Sequence, residues 1–408
     1  MKSKTTQTML IIGVIVVIIA LLIYSQKKPV GVSKTGEVKV GIILGFTGPI
    51  ESLTPAMAAS AELAFQEVSD SGSFLGGAKI TASRADSTCV DSAAATTAAE
   101  GLVSQGVAAI MGADCSGVTG AIASNVAVPN GVVMISPSAT SPGLTTLDDK
   151  GLFFRTAPSD ARGGQILADI TKDRGIKSVA VTYTNNDYGK GLADVYEAAV
   201  KAHGITVTTV AAHEDGKADY SSEVSTLASA GGDAVAVIGY LDQGGKGIIQ
   251  GSIDSGAFDT FILSDGMIGD SLTEAFGESL NNSFGSLPGS LGEGAQVFSE
   301  VASAAGIDSS GPYTGESYDA AALIALSMQA GNSADRGSIA KNVMSIANGP
   351  GEKIYPGELK KALDLLADGK GVDYEGATGV NFTDVGEAFG SFLEKEIKDS
   401  KFGTVKQR

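Results

Sequence analysis

The feature that most constrains the fold of this chain is a strand–helix alternation that begins near residue 38 and starts again after Pro158. Short apolar runs, such as residues 38–46 and 107–112, are separated by longer segments that have a single apolar face. Strands that are apolar on both sides are typical of a parallel sheet covered by helices on both faces. The sequence therefore predicts an α/β protein built from two doubly wound parallel-sheet lobes.

The alternation weakens in the last third of the chain. Residues 281–294 are rich in glycine, serine and proline, and the helical pattern resumes at Asp319. We therefore assign no strand to that segment from the sequence.

The N-terminal segment has the composition of an export leader. Residues 9–24 are uninterruptedly apolar, and as a helix they would span about 24 Å, against about 30 Å for a hydrocarbon core. The following SQKKPVG contains neither a small-residue cleavage site nor a cysteine for lipid attachment. We expect residues 1–28 to be an uncleaved membrane anchor or a cleaved signal, with a buried core helix as a third interpretation. Residues 29–37 would be a linker, and the rest would lie outside the cytoplasm.

The two cysteines each follow a predicted strand. Cys89 comes just after strand 79–86 and Cys115 just after strand 107–112, and adjacent parallel strands would bring these two ends together. Export favours oxidation, so we predict a disulfide within the first lobe, with two free buried thiols as the alternative. The only histidines, His203 and His213, do not have metal-ligand spacing, so we expect no metal site.

Polar side chains gather where two strands of the predicted first lobe end, which is where doubly wound sheets bind ligands. The segment CSGVTG begins a predicted helix, and Ser116 is expected at its N-cap, where the first amides favour an anion. The strand 132–135 ends in SPSATSP, which carries Ser138 and Thr140. Together these ends could hold a carboxylate and its neighbouring ammonium. Plain helix capping and local turn bonding are the alternative interpretations.

The blocks GADCSG and ISPSATSP resemble the leucine/isoleucine/valine-binding protein family, the type I periplasmic substrate-binding proteins of ABC importers. Six further blocks agree in order: GIILGFTGP, ADSTCVD, NNDYGKG, GKADYSSEVSTL, GESYDAAALIAL and GATGVNFTDVGE. The resemblance covers about residues 38–387. It implies a periplasmic protein that captures a neutral, branched-chain-like α-amino acid and delivers it to an ABC permease of the inner membrane.

The resemblance also implies which residues contact the ligand. Ser116, Ser138 and Thr140 match positions that hold the carboxylate and the ammonium of the amino acid. Asp265 matches a position where the family often has a glutamate that pairs with the ammonium, and the aspartate is one methylene shorter. The other implied contacts are apolar or aromatic, namely Leu53, Tyr188, Tyr240 and Tyr318.

The family's topology implies that the chain passes between the lobes three times, near residues 157–159, 286–290 and 383–388. Lobe 1 would then consist of residues 38–157 and 289–383, and lobe 2 of residues 158–288 and 384–408. We expect a monomer whose lobes close on the ligand.

Several classes of function are disfavoured by composition. The formal net charge of −17 repels nucleic acid and anionic lipid, so membrane contact is expected only through the N-terminal apolar segment. The chain has no Ser-His-Asp set and no phosphate loop, so we expect neither an enzyme nor a cofactor. Two alternatives stay open. One is a family member that binds an amide, a urea-like molecule or an aromatic acid. The other is a ligand-sensing receptor domain, although no second apolar span precedes Arg408.

Overall fold

A computed structural model describes residues 36–408, so the predicted leader of residues 1–28 and most of the linker lie outside the described residues. The described chain forms two lobes, each with a parallel-dominated sheet and flanking helices, which confirms the predicted α/β class. None of the helices within residues 36–408 is both long enough and apolar enough to cross a membrane.

The strands are β1 (Glu37–Leu44), β2 (Lys79–Asp86), β3 (Ala109–Gly112), β4 (Val133–Ser136), β5 (Phe153–Pro158), β6 (Ser178–Thr184), β7 (Thr206–His213), β8 (Ala234–Ile238), β9 (Phe261–Leu263), β10 (Phe284–Pro288), β11 (Glu352–Ile354), β12 (Val372–Tyr374), β13 (Glu387–Ala388), β14 (Phe392–Lys398) and β15 (Lys401–Gln407). The six-stranded sheet of lobe 1 has the order β13-β5-β4-β3-β1-β2, and all its neighbours are parallel. The seven-stranded sheet of lobe 2 has the order β15-β14-β10-β9-β8-β6-β7, with antiparallel pairing only at β14. Strands β11 and β12 form a small parallel pair of their own.

The helices are α1 (Thr54–Asp70), α2 (Ser92–Ser104), α3 (Ser116–Ile122), α4 (Asp160–Asp173), α5 (Asp187–Ala202), α6 (Ser221–Ala230), α7 (Lys246–Ser255), α8 (Asp270–Phe276), α9 (Glu293–Ala304), α10 (Thr314–Ala330), α11 (Arg336–Ala347) and α12 (Leu359–Ala367). Helix α3 continues through a π turn (Ala123–Ala127), and a second π turn (Leu241–Gly245) leads into α7.

The glycine-rich segment that received no predicted strand contains β10, which lies in the interior of the second sheet between β9 and β14. Gly285 of this strand faces the carbonyl oxygen of Leu263 so closely that a Cβ would overlap it. The glycine therefore marks a close approach of two backbones rather than a turn. Helix α9 follows directly, and α10 begins at Thr314 instead of Asp319.

The first sheet also extends further along the chain than expected. Strand β13 pairs in parallel with β5, although the predicted first lobe ended at residue 383. An ion pair accompanies this pairing, since the Glu387 carboxylate lies 2.6 Å from the buried Arg155 guanidinium. The chain leaves the first sheet between Ala388 and Phe392, next to the range 383–388 near which the third crossing was predicted.

Helix α10 is buried on nearly all sides and carries two buried carboxyl groups. Asp319 accepts hydrogen bonds from the Tyr374 hydroxyl and the Ala377 amide, both at 2.8 Å, and burial raises its pKa to about 6. Burial raises the pKa of Glu316 further, to about 8. The Glu316 side chain is therefore neutral in the folded protein at neutral pH.

Replacing Glu316 should change how stability depends on pH. Folded Glu316 keeps its proton up to about pH 8, whereas the ordinary pKa of the group is 4.5. Between these two pKa values the folded state binds a proton that the unfolded chain does not, so the free energy of unfolding falls as pH rises. We expect the free energy of unfolding of Glu316→Gln to exceed that of the parent by about 1–3 kcal/mol at about pH 8, and by much less at about pH 4. Urea denaturation at both pH values measures this, with the exposed Glu300→Gln as the control. An equal difference at both pH values would contradict the assignment.

Candidate functional site

A small cavity of about 30 Å³ lies between the two lobes, at the carboxyl ends of both sheets. Its apolar wall comes from lobe 1 and consists of Ile50, Leu53 and Met57. The remaining lining is polar or aromatic: Asp114, Cys115, Ser116, Ser138, Tyr188, Tyr240, Asp265, Gly266 and Tyr313. The structure thus brings together six of the predicted site residues, Leu53, Ser116, Ser138, Tyr188, Tyr240 and Asp265.

Ser116 connects the two polar strand ends of lobe 1. It is the first helical residue of α3, whereas we predicted it at the N-cap. The N-cap is Cys115, which is extended. The Ser116 hydroxyl accepts a hydrogen bond of 3.1 Å from the Ser141 amide. This bond ties the start of α3 to the loop that follows β4.

The loop after β4 carries two further predicted contacts, and only one lines the cavity. The Ser138 hydroxyl faces the cavity and donates to the carbonyl of Asp114 at 3.2 Å. Thr140 lies beside the cavity without being part of its lining, and it is 1% exposed. Its buried hydroxyl meets the geometric criteria for no hydrogen bond among the described residues, yet it lies close enough to the Asp160 carboxyl to oppose the rise of that carboxyl's pKa.

A buried arginine that we did not predict, Arg155, donates hydrogen bonds to the backbone of this loop. The Arg155 guanidinium donates to the carbonyls of Ala139 and Ser141 at 3.0 and 2.9 Å. Its second terminal nitrogen donates to the Thr145 hydroxyl at 2.9 Å and to the Glu387 carboxylate at 2.6 Å. The guanidinium therefore fixes the loop on both sides of Thr140. An arginine inside the apolar strand FFRTAP was the available signal, because a charged group in a buried strand needs partners.

Asp265 is the central acidic group of the second-lobe wall. It follows β9, is 7% exposed, and accepts hydrogen bonds from the hydroxyls of Tyr188, at 2.6 Å, and Tyr313. Burial raises the pKa of Asp265, while the two tyrosine hydrogen bonds act in the opposite direction. The Tyr188 ring stacks on Tyr240 with 5.1 Å between ring centroids, so the two rings form a rigid aromatic wall.

The structure places Tyr318, which we predicted as a ligand contact, inside lobe 1 and away from the cavity. Its hydroxyl donates to the Glu67 carboxylate and accepts from the Gly357 amide at 3.1 Å. Tyr313 lines the cavity instead, because α10 begins earlier than predicted and Tyr313 precedes its first turn with φ of +61°. Both tyrosines lie in the motif YTGESY, so the sequence alone does not show which of them faces the cavity. The residue at which α10 begins decides it.

Asp160, at the start of α4, is a buried acidic group that sequence reasoning missed; it lies outside the cavity lining and shares a smaller pocket with Asp265. It is buried, and one of its carboxyl oxygens has no hydrogen-bond partner among the described residues. Burial, followed by the charge of Asp265, raises its pKa well above the ordinary value. No lysine or arginine lines the cavity in the part of the chain that the structure describes. The cavity is therefore electrostatically suited to a ligand with a positive group.

The predicted disulfide is confirmed, since Cys89 and Cys115 are bonded, with 5.1 Å between their Cα atoms. It joins the loop after β2 to the residue that precedes α3, directly beside Ser116. The disulfide therefore both stabilises lobe 1 and fixes the position of the cavity wall that contains Cys115 and Ser116.

Removing this disulfide should destabilise lobe 1. Closing a loop over a sequence separation of 26 restricts the unfolded chain and contributes about 3.5 kcal/mol in the chain-entropy account. We expect the Cys89→Ser/Cys115→Ser double variant to lose about that much free energy of unfolding in urea. Alkylation of the unfolded, unreduced parent followed by mass analysis is the control, and two alkylated cysteines there would contradict the pairing in solution.

Comparison with known proteins identifies the architecture. The family model described as "Periplasmic binding protein" matches residues 37–353. A Leu/Ile/Val-binding protein homolog of Brucella melitensis, homolog 1, is 31% identical over 320 residues, which are 76% of this chain and 83% of that protein. Homolog 3 of the same organism is 33% identical over 212 residues, 51% of this chain, so the match spans only 56% of that relative.

Two solved structures share the fold at low sequence identity. A leucine-binding protein from Thermotoga maritima superposes with a TM-score of 0.76 and 22% identity, covering 91% of this chain and 98% of the other. A solute-binding protein of an ABC transporter from Rhodopseudomonas palustris, in complex with 4-hydroxybenzoate, has a TM-score of 0.73 and 16% identity, covering 91% and 97%. These two likenesses establish the type I fold and leave the ligand open.

Proposed function

The chain belongs to the periplasmic binding protein family, and on that premise we propose that it captures an α-amino acid in the cavity between its lobes. The amino acid is neutral and branched-chain-like, and the protein delivers it to an ABC permease. The protein acts outside the cytoplasm as a monomer without catalytic activity, and residues 1–28 serve as its signal or membrane anchor.

The observation that carries this proposal is the buried carboxylate of Asp265 in a cavity without a basic lining residue. A carboxylate in such a place is stabilised by a cationic partner, and the α-ammonium of an amino acid supplies one. On the opposite side, Ser116 and Ser138 offer hydroxyls beside the start of α3, where an α-carboxylate fits. The aliphatic side chain then packs on Ile50, Leu53 and Met57.

An aromatic acid is the second candidate ligand. The stacked pair of Tyr188 and Tyr240 forms an aromatic wall, and the Rhodopseudomonas palustris protein of the same fold is in complex with 4-hydroxybenzoate. The buried Asp265 carboxylate counts against this candidate, because an anion without an ammonium leaves it without a cationic partner.

A thermal-shift screen separates the two candidates. Leucine, isoleucine and valine are compared with 4-hydroxybenzoate and with the 2-hydroxy analogue of leucine, which has the same shape but no ammonium. A ligand at about a hundred times its Kd stabilises the folded state by about 2.7 kcal/mol, so the melting temperature rises measurably. We expect a rise with the amino acids and none with the hydroxy analogue. A rise with 4-hydroxybenzoate alone would replace the amino-acid proposal with the aromatic-acid one.

A further inference from the structure

A polar network outside the cavity joins the two lobes at the rim of the cleft. The loop of residues 49–52, after β1 in lobe 1, meets the π turn Leu241–Gly245, after β8 in lobe 2. The Asp242 amide donates to the Pro49 carbonyl at 2.7 Å, and the Ser52 amide donates to the Asp242 carboxylate at 2.9 Å. We call these three residues, Pro49, Ser52 and Asp242, the rim latch.

Lobe 2 holds the latch carboxylate in its orientation. Lys246 lies one helical turn further on, and its ammonium is 3.0 Å from the Asp242 carboxylate and 2.9 Å from the Ser271 hydroxyl. The Ser271 hydroxyl is also 3.4 Å from the Ser52 hydroxyl across the cleft. Asp242 is thus fixed by its own lobe and faces the backbone of the other.

The latch is continuous in sequence with both walls of the cavity without being part of either. Ile50 and Leu53, which line the cavity, belong to the same lobe-1 loop, and Tyr240 immediately precedes the π turn. Asp242 itself does not line the cavity. Its contacts exist only when the lobes are together, so they add to the closed state and contribute nothing to an open one.

We propose that the rim latch stabilises the closed form independently of the ligand's chemistry, and that Asp242 is thereby a positioning residue that determines affinity for every ligand of the cavity. The affinity part of this inference rests on the proposed function, whereas the closure part does not. A residue that acts only on closure changes all affinities by one factor, because a binding-competent state that is less populated weakens every ligand equally.

The first experiment measures affinity by calorimetry for leucine and valine. Asp242→Ala should raise the Kd for both by the same factor, about five- to tenfold, because the Ser52 amide loses its partner in the closed state. Asp242→Asn keeps an acceptor oxygen and should stay within about twofold of the parent. Asp194→Ala is the matched control, since Asp194 likewise pairs with a lysine four residues away, Lys190, on the exposed surface of α5. A factor that differs between the two ligands would overturn the positioning role.

The second experiment needs no ligand. Ser52→Cys with Ser271→Cys places two thiols across the cleft where the two hydroxyls are 3.4 Å apart, and it leaves both backbone contacts of the latch in place. Oxidised glutathione accepts the two electrons, forming two reduced glutathione molecules while the thiols become one disulfide. We expect the ligand-free protein to cross-link, and Asp242→Ala in this background to slow cross-linking about five- to tenfold.

The two experiments separate failure of the latch from failure of the proposed function. Equal cross-linking rates with and without Asp242→Ala would overturn the latch, whatever the protein binds. Slowed cross-linking together with no amino-acid binding would support the latch and reject the amino-acid ligand. Melting temperatures of the variants, and alkylation rates of each single cysteine, exclude unfolding and altered thiol reactivity as causes.

Discussion

Asp265→Ala is expected to weaken the binding of an α-amino acid by about 3–5 kcal/mol, which is more than a hundredfold in Kd. The substitution leaves the ligand's ammonium buried without a counter-charge. It also removes the acceptor of the Tyr313 hydroxyl and one acceptor of the Tyr188 hydroxyl, which lies 2.9 Å from the Ser264 hydroxyl as well. The effect should be far larger on binding than on folding, because Asp265 contacts the cleft and not the interior of either sheet.

Two control variants separate the charge of Asp265 from its position. Asp265→Asn keeps the size of the side chain and removes its charge, so it should lose most of the preference for leucine over the 2-hydroxy analogue. Asp259→Ala changes an exposed carboxylate at the other end of β9 and should bind as the parent does. Calorimetry on the three variants measures this. An unchanged Kd for leucine in Asp265→Ala would exclude Asp265 as the ammonium partner.

The same carboxyl should make binding sensitive to acid. Burial raises the pKa of Asp265 in the closed cleft, so it takes up a proton at a higher pH than an ordinary aspartate does. A neutral carboxyl does not pair with an ammonium, so affinity should fall as the pH is lowered through that raised pKa. This acid sensitivity should be absent in Asp265→Asn.

Arg155→Met is expected to cost about 3–5 kcal/mol of folding free energy, because it breaks a buried ion pair by removing one partner. The Arg155 side chain is 1% exposed and that of Glu387 is 16% exposed. The substitution leaves Glu387 unpaired and removes the donors to the carbonyls of Ala139 and Ser141. The loop that carries Ser138 and Thr140 then loses its support, so ligand affinity should fall together with stability.

Urea denaturation measures the loss, and two further variants test its cause. Arg155→Met/Glu387→Gln should recover part of the lost stability, since no unpaired charge remains at position 387. Arg84→Met is the matched control. Its guanidinium pairs with Glu62 at 2.6 Å on the surface, where the Arg84 side chain is 44% exposed, and the expected cost is at most about 1 kcal/mol. Equal losses for Arg155→Met and Arg84→Met would contradict the role of Arg155.

The sequence by itself determined the fold class and the general position of the site. Apolar strands alternating with amphipathic helices leave a doubly wound sheet as the arrangement that buries both faces of every strand. In such a sheet the carboxyl ends of the strands lie at one edge, so residues as distant as Ser116 and Asp265 meet in one cleft. The disulfide followed from the same rule, because Cys89 and Cys115 both follow strands of one sheet.

Only the tertiary structure decided which side chains of a given segment reach the cleft. Tyr313 rather than Tyr318 lines the cavity, because a helix that begins five residues earlier turns the second tyrosine into the interior of lobe 1. The roles of Arg155 and Glu387 depend on the pairing of β5 with β13, which are far apart in the chain. The sequence did not reveal strand β10, because its glycine suggested a turn. In the structure Gly285 is needed because the backbone of Leu263 lies too close to leave room for a Cβ. Periodicity reports the local burial of a segment, whereas these features depend on neighbours that are distant in sequence and are fixed only when the two lobes pack.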